Sequence, residues 1–423
     1  MIDIAFIREH ADLVKQAAEQ KRVIVDIDRL LVVDSSRREL KTKLDEIQRQ
    51  RNESAKVKDI EAGKRLKEES SQVQEALTLV ETEYESLMIL VPNIPSSDTP
   101  IGKDESENVV IRKFMEPTVF SFKPKHHSEI GKALNIIDNE TATEVSGTRF
   151  TYLKGDLALM QFALIQLVFN TLTNAETLQK IITEAGLTVS NKPFIPVIPP
   201  VFIRPEVMQR MGRLEPRDER YHLVADDLFL VGSAEPTLGP MHMEQTFEEA
   251  ELPVRYIGYS TAFRREAGSY GKDTKGIIRM HQFDKLEMET FTTPEHSTEE
   301  QNLIVAIQEY LVRQLKIPYQ VVQICTGDMG KPDSRQMDIE MYMPGEGAYR
   351  ETHTSDLMTD FQSRRLNIKI KRETGKVFAH MNDATAFAIG RTLVAIIENY
   401  QNEDGTITVP EVLRTYVGKD VIK

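Results

Sequence analysis

The stretch STAFRREAGSYGKDTKGIIRMHQFDKLEME, residues 260–289, decides the fold of the larger part of this chain. Its first residues continue a run of β-branched and aromatic side chains that begins at Val254, which predicts a strand. Two glycines within residues 269–276 predict a loop, and the residues from Ile277 onward predict a returning strand. The stretch therefore predicts two neighbouring strands joined by a basic loop.

One face of the returning strand carries an unusual set of side chains. Alternate residues of a strand share a face, so Arg279, His281, Phe283, Lys285 and Glu287 lie together. A cation, an aromatic ring and a carboxylate in this order can contact the phosphate, the base and an amine of a nucleotide. The strand alone slightly favours the alternative, a solvent-facing surface with cross-strand ion pairs.

Composition limits the class of protein. The chain has 423 residues, 40% of them hydrophobic, and a formal net charge of -13, which suits two or three domains with a substantial core. Net acidity argues against non-specific coating of nucleic acid but permits a local basic surface that binds RNA. No apolar run approaches the roughly 20 residues of a membrane helix, and the charged N-terminus differs from a signal peptide. We expect a cytoplasmic protein without a membrane partner.

The single cysteine, Cys325, excludes intramolecular disulfides and cysteine-rich zinc sites. Any metal must therefore bind to oxygens or histidines. His126 and His127 are adjacent, and on an extended chain they would point to opposite sides, which argues against chelation by this pair.

The first hundred residues differ from the rest because their apolar residues recur with heptad spacing. The two seams are Val33, Arg37, Leu40, Leu44 and Ile47, and then Val73, Leu77, Val80, Tyr84 and Leu87. This spacing predicts an antiparallel coiled-coil hairpin, interrupted once by Arg37, with its tip near residues 55–63. Prolines then predict a linker at residues 92–105. We place the helical domain at residues 1–104 and a second domain at residues 105–423.

The tip of the hairpin is rich in charge. Its basic residues could contact the phosphates of a large partner; they are Lys56, Lys58, Lys64, Arg65 and Lys67. Acidic residues are interleaved with them, and composition alone favours a solvated charged face.

The second domain has a mixed pattern. Residues 155–174 have helical periodicity, whereas short segments such as YQVVQICTG and QMDIEMYMP are typical of strands bounded by Gly, Pro or Asp. The separations between strands indicate an α+β domain built around a largely antiparallel sheet. AFAIGRTLVAIIENYQ, residues 386–401, predicts a C-terminal helix.

Several segments follow one another in the order of one enzyme family. FRREAGSYGKDTKGIIRMHQFDKLE, residues 263–287, resembles motif 2 of the seryl-tRNA synthetases, which are class II aminoacyl-tRNA synthetases. Residues 199–212, 230–238 and 386–401 are similar to motif 1, the serine-binding loop and motif 3 of the family. The tRNA-binding arm of the family corresponds to the heptad hairpin, so the resemblance covers essentially the whole chain. It implies a divergent bacterial-type member with a class II catalytic domain of helices around an antiparallel sheet.

The resemblance assigns residues to ATP. Arg264 would hold the α-phosphate and the amino-acid carboxylate, and Glu266 would contact the adenine side. Arg279 and Arg391 would bind the β- and γ-phosphates, and Phe283 would stack on adenine. The three arginines are the predicted catalytic residues, because fixed guanidiniums hold two anions together. Glu351 resembles the family glutamate that holds ATP and a divalent ion, for which Mg²⁺ is the expected metal.

The resemblance also assigns a serine pocket that consists of Ser233, Glu235, Arg264, Glu287, Thr354 and Thr385. Here the sequence departs from the family pattern. Ser233 stands where the loop usually begins with threonine, Leu357 replaces an amide, and Asp383 replaces the usual asparagine before motif 3. We expect these changes to leave a rearranged but equivalent serine pocket, because buried hydroxyl partners distinguish serine from alanine.

The resemblance implies activation of serine by ATP and transfer to tRNA(Ser), and the family often also serves tRNA(Sec). Motif 1 forms a dimer interface in the family, so a homodimer is expected. One alternative is a ligase that loads a small amino acid onto a carrier protein, but such members are expected to lack the arm. The other is a non-catalytic paralogue, which should lose Arg264, Arg279 and Arg391.

Overall fold

The computed structural model describes residues 1–266 and 275–423. The described chain divides into two compact units, Met1–Ile94 and Pro95–Lys423. Residues 95–104, which the sequence analysis placed with the helical arm, group with the second unit because of hydrogen bonds to residues far along the chain. Ser96 N and Thr99 Oγ1 both donate to Ser334 O, at 2.8 and 3.0 Å.

The first unit is helical. Its helices are α1 (Ile4–Glu9), α2 (Ala11–Gln20), α3 (Ile27–Lys56) and α4 (Ile60–Met88). Asp26 and Asp59 cap the two long helices, because their carboxylates accept from the backbone N–H groups of Arg29 and Ala62. Ion pairs such as Lys43 with Glu69, at 3.1 Å, join α3 to α4 in an antiparallel hairpin.

The predicted seams form the contact between α3 and α4, with Ile47, Leu66 and Val73 buried. Arg37 is accommodated in the contact between the two helices. Its guanidinium lies 4.0 Å from the Tyr84 ring centroid and donates a hydrogen bond to Asp34 at 3.2 Å. The chain reverses within the predicted tip at residues 55–63, but not at its glycine. Gly63 is helical, and the turn falls at residues 57–59, where Lys58 has a φ of 57°.

The second unit combines helices and strands. Its helices of six residues or more are α5 (His127–Ala133), α6 (Asn139–Ser146), α7 (Asp156–Leu172), α8 (Ala175–Glu184), α9 (Pro205–Met211), α11 (Ser297–Gln314), α12 (Phe361–Leu366) and α13 (Ile389–Asn399), with short α10 (Glu235–Leu238) and α14 (Arg414–Val417). Among the described residues no single helix is long and apolar enough to span a membrane; only α7 and α8 together, bent by 79°, meet that length and composition.

An eight-stranded sheet organises the second unit. Its strands, in spatial order, are β1 (Val109–Phe114), β11 (Tyr319–Gln323), β12 (Arg335–Met343), β13 (Ala348–Thr359), β16 (His380–Ala388), β10 (Gln282–Thr292), β9 (Val254–Phe263) and β4 (Ile195–Val197). Neighbours are antiparallel except β4 and β9, which are parallel. The α+β class and the largely antiparallel sheet are therefore confirmed.

Short strands complete the unit: β2 (Ile137–Asp138), β3 (Tyr152–Leu153), β5 (Phe202–Ile203), β6 (His222–Leu223), β7 (Leu228–Leu230), β8 (Thr246–Glu248), β14 (Lys369–Arg372), β15 (Gly375–Phe378), β17 (Ile407–Thr408) and β18 (Val421–Ile422).

The two faces of the large sheet have different roles. Leu286 and Met288 of β10 and Ala384 of β16 belong to the main apolar core, together with residues of α7, α11 and α13. Polar residues alternate with these apolar ones along the two strands. In the register of β10 and β16, Glu287 lies opposite Thr385 and Glu289 lies opposite Asp383. Successive side chains of a strand point to opposite faces of the sheet, so these polar side chains lie on the face away from the apolar core.

Some predicted element bounds need correction. The returning strand begins at Gln282 and not at Ile277, so Arg279 and His281 are not part of it. Motif 3 begins as strand: its first three residues, 386–388, end β16, and α13 starts at Ile389. The predicted loop at residues 269–276 lies outside the described residues except for its last two.

Candidate active site

Two adjoining cavities of about 530 and about 110 Å³ lie on the polar face of the sheet. They share six lining residues: Arg264, Glu266, Arg279, Lys285, Thr354 and Thr385. The larger cavity also carries Ser233, Glu235 and Glu287, and the smaller one carries Phe283, Glu351 and Arg391. The structure thus brings together all the residues that the resemblance placed at the site.

Glu287 is a buried anion at the floor of the larger cavity. Its Oε2 accepts from the backbone N–H groups of Ala234 and Glu235 at 2.8 and 3.1 Å. Its Oε1 accepts from Lys285 Nζ at 2.7 Å. Burial by itself would raise the pKa of Glu287, but the charge of Lys285 and these hydrogen bonds outweigh it and lower the pKa. The carboxylate is therefore ionised at neutral pH.

Two threonines reach the cavities from neighbouring strands. Helix α11, on the opposite side of the sheet, holds both of them through one amide. Gln308 Nε2 donates to Thr354 O at 2.9 Å and to Thr385 O at 2.8 Å. These two hydrogen bonds fix the distance between the backbones of Thr354 and Thr385, and so the positions of their hydroxyl groups.

The arginines at the site differ in their partners. Arg391 Nη1 donates to Glu351 Oε1 at 2.7 Å, and Arg279 Nη1 donates to Glu266 Oε2 at 2.7 Å. Arg264 instead donates from Nε to Gly232 O at 3.0 Å, and its guanidinium lies 5.3 Å from the Phe283 ring centroid. Burial, and then the neighbouring charge of Arg391, lower the pKa of Arg264. Such an arginine is suited to an anionic ligand.

The sequence analysis missed a cluster of charges beside Glu235. Arg213 Nε donates to Glu235 Oε1 at 2.8 Å, and Arg213 Nη2 lies 3.9 Å from Asp356 Oδ2 and 3.8 Å from Asp383 Oδ1. Arg213 thus lies among carboxyl groups from α10, β13 and β16, and burial still raises the pKa of Asp356 and Asp383 well above their ordinary values. The signal in the sequence was a pair of acids, Asp356 and Asp383, in strands of the core, since buried carboxylates require a cation.

Glu289 lies behind this cluster and is 0% exposed. Neither of its carboxylate oxygens has a hydrogen-bond partner among the described residues. Burial, and then the negative charges of Asp383 and Glu235, raise the pKa of Glu289 well above its ordinary value. Glu289 is therefore held as a neutral acid within an acidic cluster.

His127 ties α13 to the residues just after the undescribed segment. Its Nδ1 donates to Glu398 Oε1 at 2.8 Å, and its Nε2 accepts from Ile277 N at 3.2 Å. Helix α5 begins at His127, and the ring centroids of His126 and His127 are 4.0 Å apart, so the expectation that the two side chains point to opposite sides is wrong. His126, His127 and Glu398 have metal-compatible spacing, but both ring nitrogens of His127 already have partners.

Comparisons with known proteins agree with this geometry. A model of the seryl-tRNA synthetase N-terminal domain matches residues 1–95, and a model of the tRNA synthetase class II core domain (G, H, P, S and T) matches residues 221–400. The serine--tRNA ligase of Pseudothermotoga lettingae is 38% identical over 439 residues, which span 100% of both chains. The chain belongs to the seryl-tRNA synthetase family.

Other seryl-tRNA synthetases are similar over the same span. The serine--tRNA ligase of Coprothermobacter proteolyticus is 39% identical over 432 residues, covering 99% of this chain and 100% of the relative. The crystal structure of seryl-tRNA synthetase from Pyrococcus horikoshii complexed with ATP has a TM-score of 0.87 at 32% identity, with 100% and 99% coverage. The serine-tRNA ligase of Naegleria fowleri in complex with AMP has a TM-score of 0.85 at 29% identity, with the same coverage.

The wall of the larger cavity beside the amino-acid loop is acidic, because Glu235, Asp356 and Asp383 line it. Asp383 stands in place of the usual asparagine, and it lies 3.8 Å from Arg213. Burial, and then the charges of Glu235 and Asp356, raise the pKa of Asp383 well above its ordinary value, although the charge of Arg213 opposes them.

Proposed function

We propose that this chain activates serine with ATP to form seryl-adenylate and transfers the seryl group to the 3' end of tRNA(Ser). The observation that carries the proposal is the convergence of the predicted ATP and serine residues on two cavities with a shared wall. A carboxylate bound in the larger cavity and a nucleotide bound in the smaller one would meet at Arg264, which lines both.

The larger cavity would bind serine. Glu287 is ionised and fixed by three donors, so it can accept from the α-ammonium or from the serine hydroxyl. Thr385 lies opposite Glu287 on β16, and Ser233 lies at the start of the neighbouring loop. Binding alanine would leave these polar groups without the partner that serine supplies, which is the physical basis of selection.

The smaller cavity would bind ATP. Phe283 presents its ring to the base, and Glu266, Arg279 and Arg391 present polar groups to the ends of the nucleotide. In the reaction a carboxylate oxygen of serine forms a bond to the α-phosphorus. The bond from that phosphorus to the bridging oxygen breaks, and the electron pair leaves with pyrophosphate. Guanidiniums fixed in place stabilise the charge on the phosphoryl oxygens without reorganising.

The smaller cavity also has oxygen donors suited to Mg²⁺. Glu351 lines it, and burial together with the charge of Glu351 raises the pKa of nearby Asp338 well above its ordinary value. A divalent cation bound at Glu351 would favour the ionised form of Asp338 as well. Glu351 would hold this ion, which when bound neutralises charge on the phosphate oxygens.

The helical hairpin would bind the tRNA. All five basic residues of the tip are exposed, and none forms an ion pair with a described residue; they are Lys56, Lys58, Lys64, Arg65 and Lys67. Unpaired exposed cations are suited to phosphate contacts. The same arm would serve tRNA(Sec) where the host has one.

The second unit would form a homodimer through the region of motif 1. Exposed apolar residues flank the two prolines at 199 and 200: Ile195, Ile198 and Phe202 are 49%, 82% and 46% exposed. A patch of this kind on a compact unit is typical of a protein interface. Light scattering at the assay concentration should report a dimer, and an active monomer would contradict it.

The deciding experiment is charging of bulk tRNA with radiolabelled serine, threonine, alanine, glycine and cysteine at saturating ATP and Mg²⁺. Serine alone should be charged. Pyrophosphate exchange without tRNA should give the same selectivity, because activation precedes transfer. Exchange without tRNA charging would instead favour loading of a carrier protein, and absence of both would favour a non-catalytic paralogue.

A further inference from the structure

Arg220 lines the larger cavity without an ion pair to any residue in the described part of the chain. Its Nε donates to the backbone carbonyl of Arg213 at 3.2 Å. The sequence analysis did not single out this residue. A partly buried guanidinium that faces a cavity and lacks a carboxylate is costly unless a ligand supplies the anion.

Arg220 approaches Arg264 across a glycine. A Cβ placed on Gly232 would lie 3.0 Å from Arg220 Nη1 and 3.6 Å from Arg264 Nε. The two side chains therefore converge where Gly232 leaves space. Arg264 also lacks an ion pair with a described residue. Burial, and then the charges of Arg264 and Arg213, lower the pKa of Arg220.

Six acidic residues line the larger cavity, and all of them except Glu219 have a described cationic partner other than Arg220 or Arg264. Arg213 contacts Glu235, Asp356 and Asp383, as described above. Lys285 holds Glu287, and Arg279 holds Glu266. The guanidiniums of Arg220 and Arg264 line the same cavity without an ion pair to a described residue. The proposed reaction brings two anionic groups together, a carboxylate and an α-phosphoryl group, and so matches this charge.

We propose that Arg220 is a second substrate-binding arginine, which holds the amino-acid carboxylate beside Arg264 as that carboxylate attacks the α-phosphate. Arg220 lines the larger cavity and not the smaller one, which carries Phe283 and Arg391, so its contact is with the amino-acid end. The proposal rests on the function proposed above. It assigns Arg220 to adenylation, before any tRNA takes part.

The first test is serine-dependent pyrophosphate exchange by Arg220→Met. Loss of a charge-assisted hydrogen bond should lower kcat/KM for serine about 10- to 100-fold, with KM for ATP nearly unchanged. Arg220→Lys keeps the charge and should recover part of the loss. Arg217→Met is the matched control. Arg217 lies three residues earlier, is exposed, and among the described residues forms an ion pair only with exposed Glu215, so exchange should be unchanged.

The second test measures binding to the full chain by calorimetry and does not depend on turnover. The probes are seryl-sulfamoyl adenosine, whose anionic sulfamate replaces the acyl phosphate, and adenosine, which lacks an anion. Arg220→Met should weaken the sulfamate at least about 10-fold and leave adenosine unchanged. Equal weakening of both probes would show a structural role and overturn the proposal.

A further outcome would also overturn it. If Arg220→Met left exchange and sulfamate binding intact but reduced transfer to tRNA, Arg220 would contact the tRNA end instead. Failure of the proposed function looks different, because the unaltered chain would then give no exchange with serine. In that case the comparison of the two probes still decides whether Arg220 binds the anion.

Discussion

His127 Nδ1 lies 2.8 Å from Glu398 Oε1, and both side chains are fully buried. The carboxylate also accepts from the backbone N–H of Gly345 at 2.8 Å. Through the other ring nitrogen, which accepts from Ile277 N, this pair connects α13, which carries Arg391, to the residues leading to Arg279. The relationship positions two arginines of the ATP cavity without touching that cavity itself.

Replacing Glu398 by Gln should loosen this connection. Because a buried charge-assisted hydrogen bond is lost, the free energy of unfolding should fall by about 2 kcal/mol. KM for ATP should rise more than KM for serine, because Arg279 and Arg391 lie on the nucleotide side. Urea unfolding and pyrophosphate exchange measure the two effects.

The control for this variant is His222→Gln, which removes a histidine–carboxylate pair at the surface. His222 lies 3.1 Å from Asp227, with 36% and 77% of the two side chains exposed. Its replacement should change stability by less than about 0.5 kcal/mol. Equal effects of the two variants would contradict a special role for the buried pair.

Thr385→Ala tests the serine pocket. The variant removes a hydroxyl opposite Glu287, so discrimination between serine and alanine should fall about 10- to 100-fold. Pyrophosphate exchange with both amino acids gives the ratio. Thr183→Ala, on the exposed face of α8, is the matched control. Unchanged discrimination in Thr385→Ala would exclude this hydroxyl from selection.

Glu289→Gln should stabilise the protein increasingly as the pH rises. The folded-state pKa of Glu289 is raised, so an unfolded chain releases this proton at lower pH than the folded one does. The wild type therefore loses stability relative to Gln by about 1.4 kcal/mol per pH unit above the unfolded pKa of about 4.3, until the folded pKa is reached.

Urea unfolding at about pH 5 and about pH 8 measures this difference. The wild type and the variant should be close at the lower pH and separate at the higher one. Glu144→Gln removes an exposed carboxyl on α6 and serves as the control. A separation that shrinks with rising pH would show that Glu289 is ionised in the folded state.

Deletion of residues 36–90 removes most of the hairpin. Because the five unpaired tip cations are lost with it, tRNA charging should fall by about 100-fold or more. Pyrophosphate exchange should stay within about twofold, because every residue of the two cavities lies between Met208 and Arg391. Unchanged charging of tRNA would count against the arm.

Much of the fold follows from local patterns. The hairpin is visible as heptads, and α7 is visible as an apolar helical period. The central strands β13 and β16 are harder to see, because polar residues such as Thr354 and Thr385 project into the site while others are buried on the second face. Alternation between apolar and polar residues is lost there.

The start of β10 was misplaced for a different reason. Ile277 belongs to an apolar run, but its N–H is bound by His127, 150 residues earlier in the chain. No local pattern reveals such a bond. The same holds for Arg213 and Arg220, which lie in a segment without strand or helix periodicity and act only through residues brought near by the fold.

The shared wall of the two cavities has a thermodynamic consequence. Arg264, Lys285 and Thr385 can respond to either occupant, so the two binding events are linked by a coupling free energy. Linkage is reciprocal. If a bound nucleotide changes the affinity for the amino acid by some factor, the bound amino acid must change the affinity for the nucleotide by the same factor.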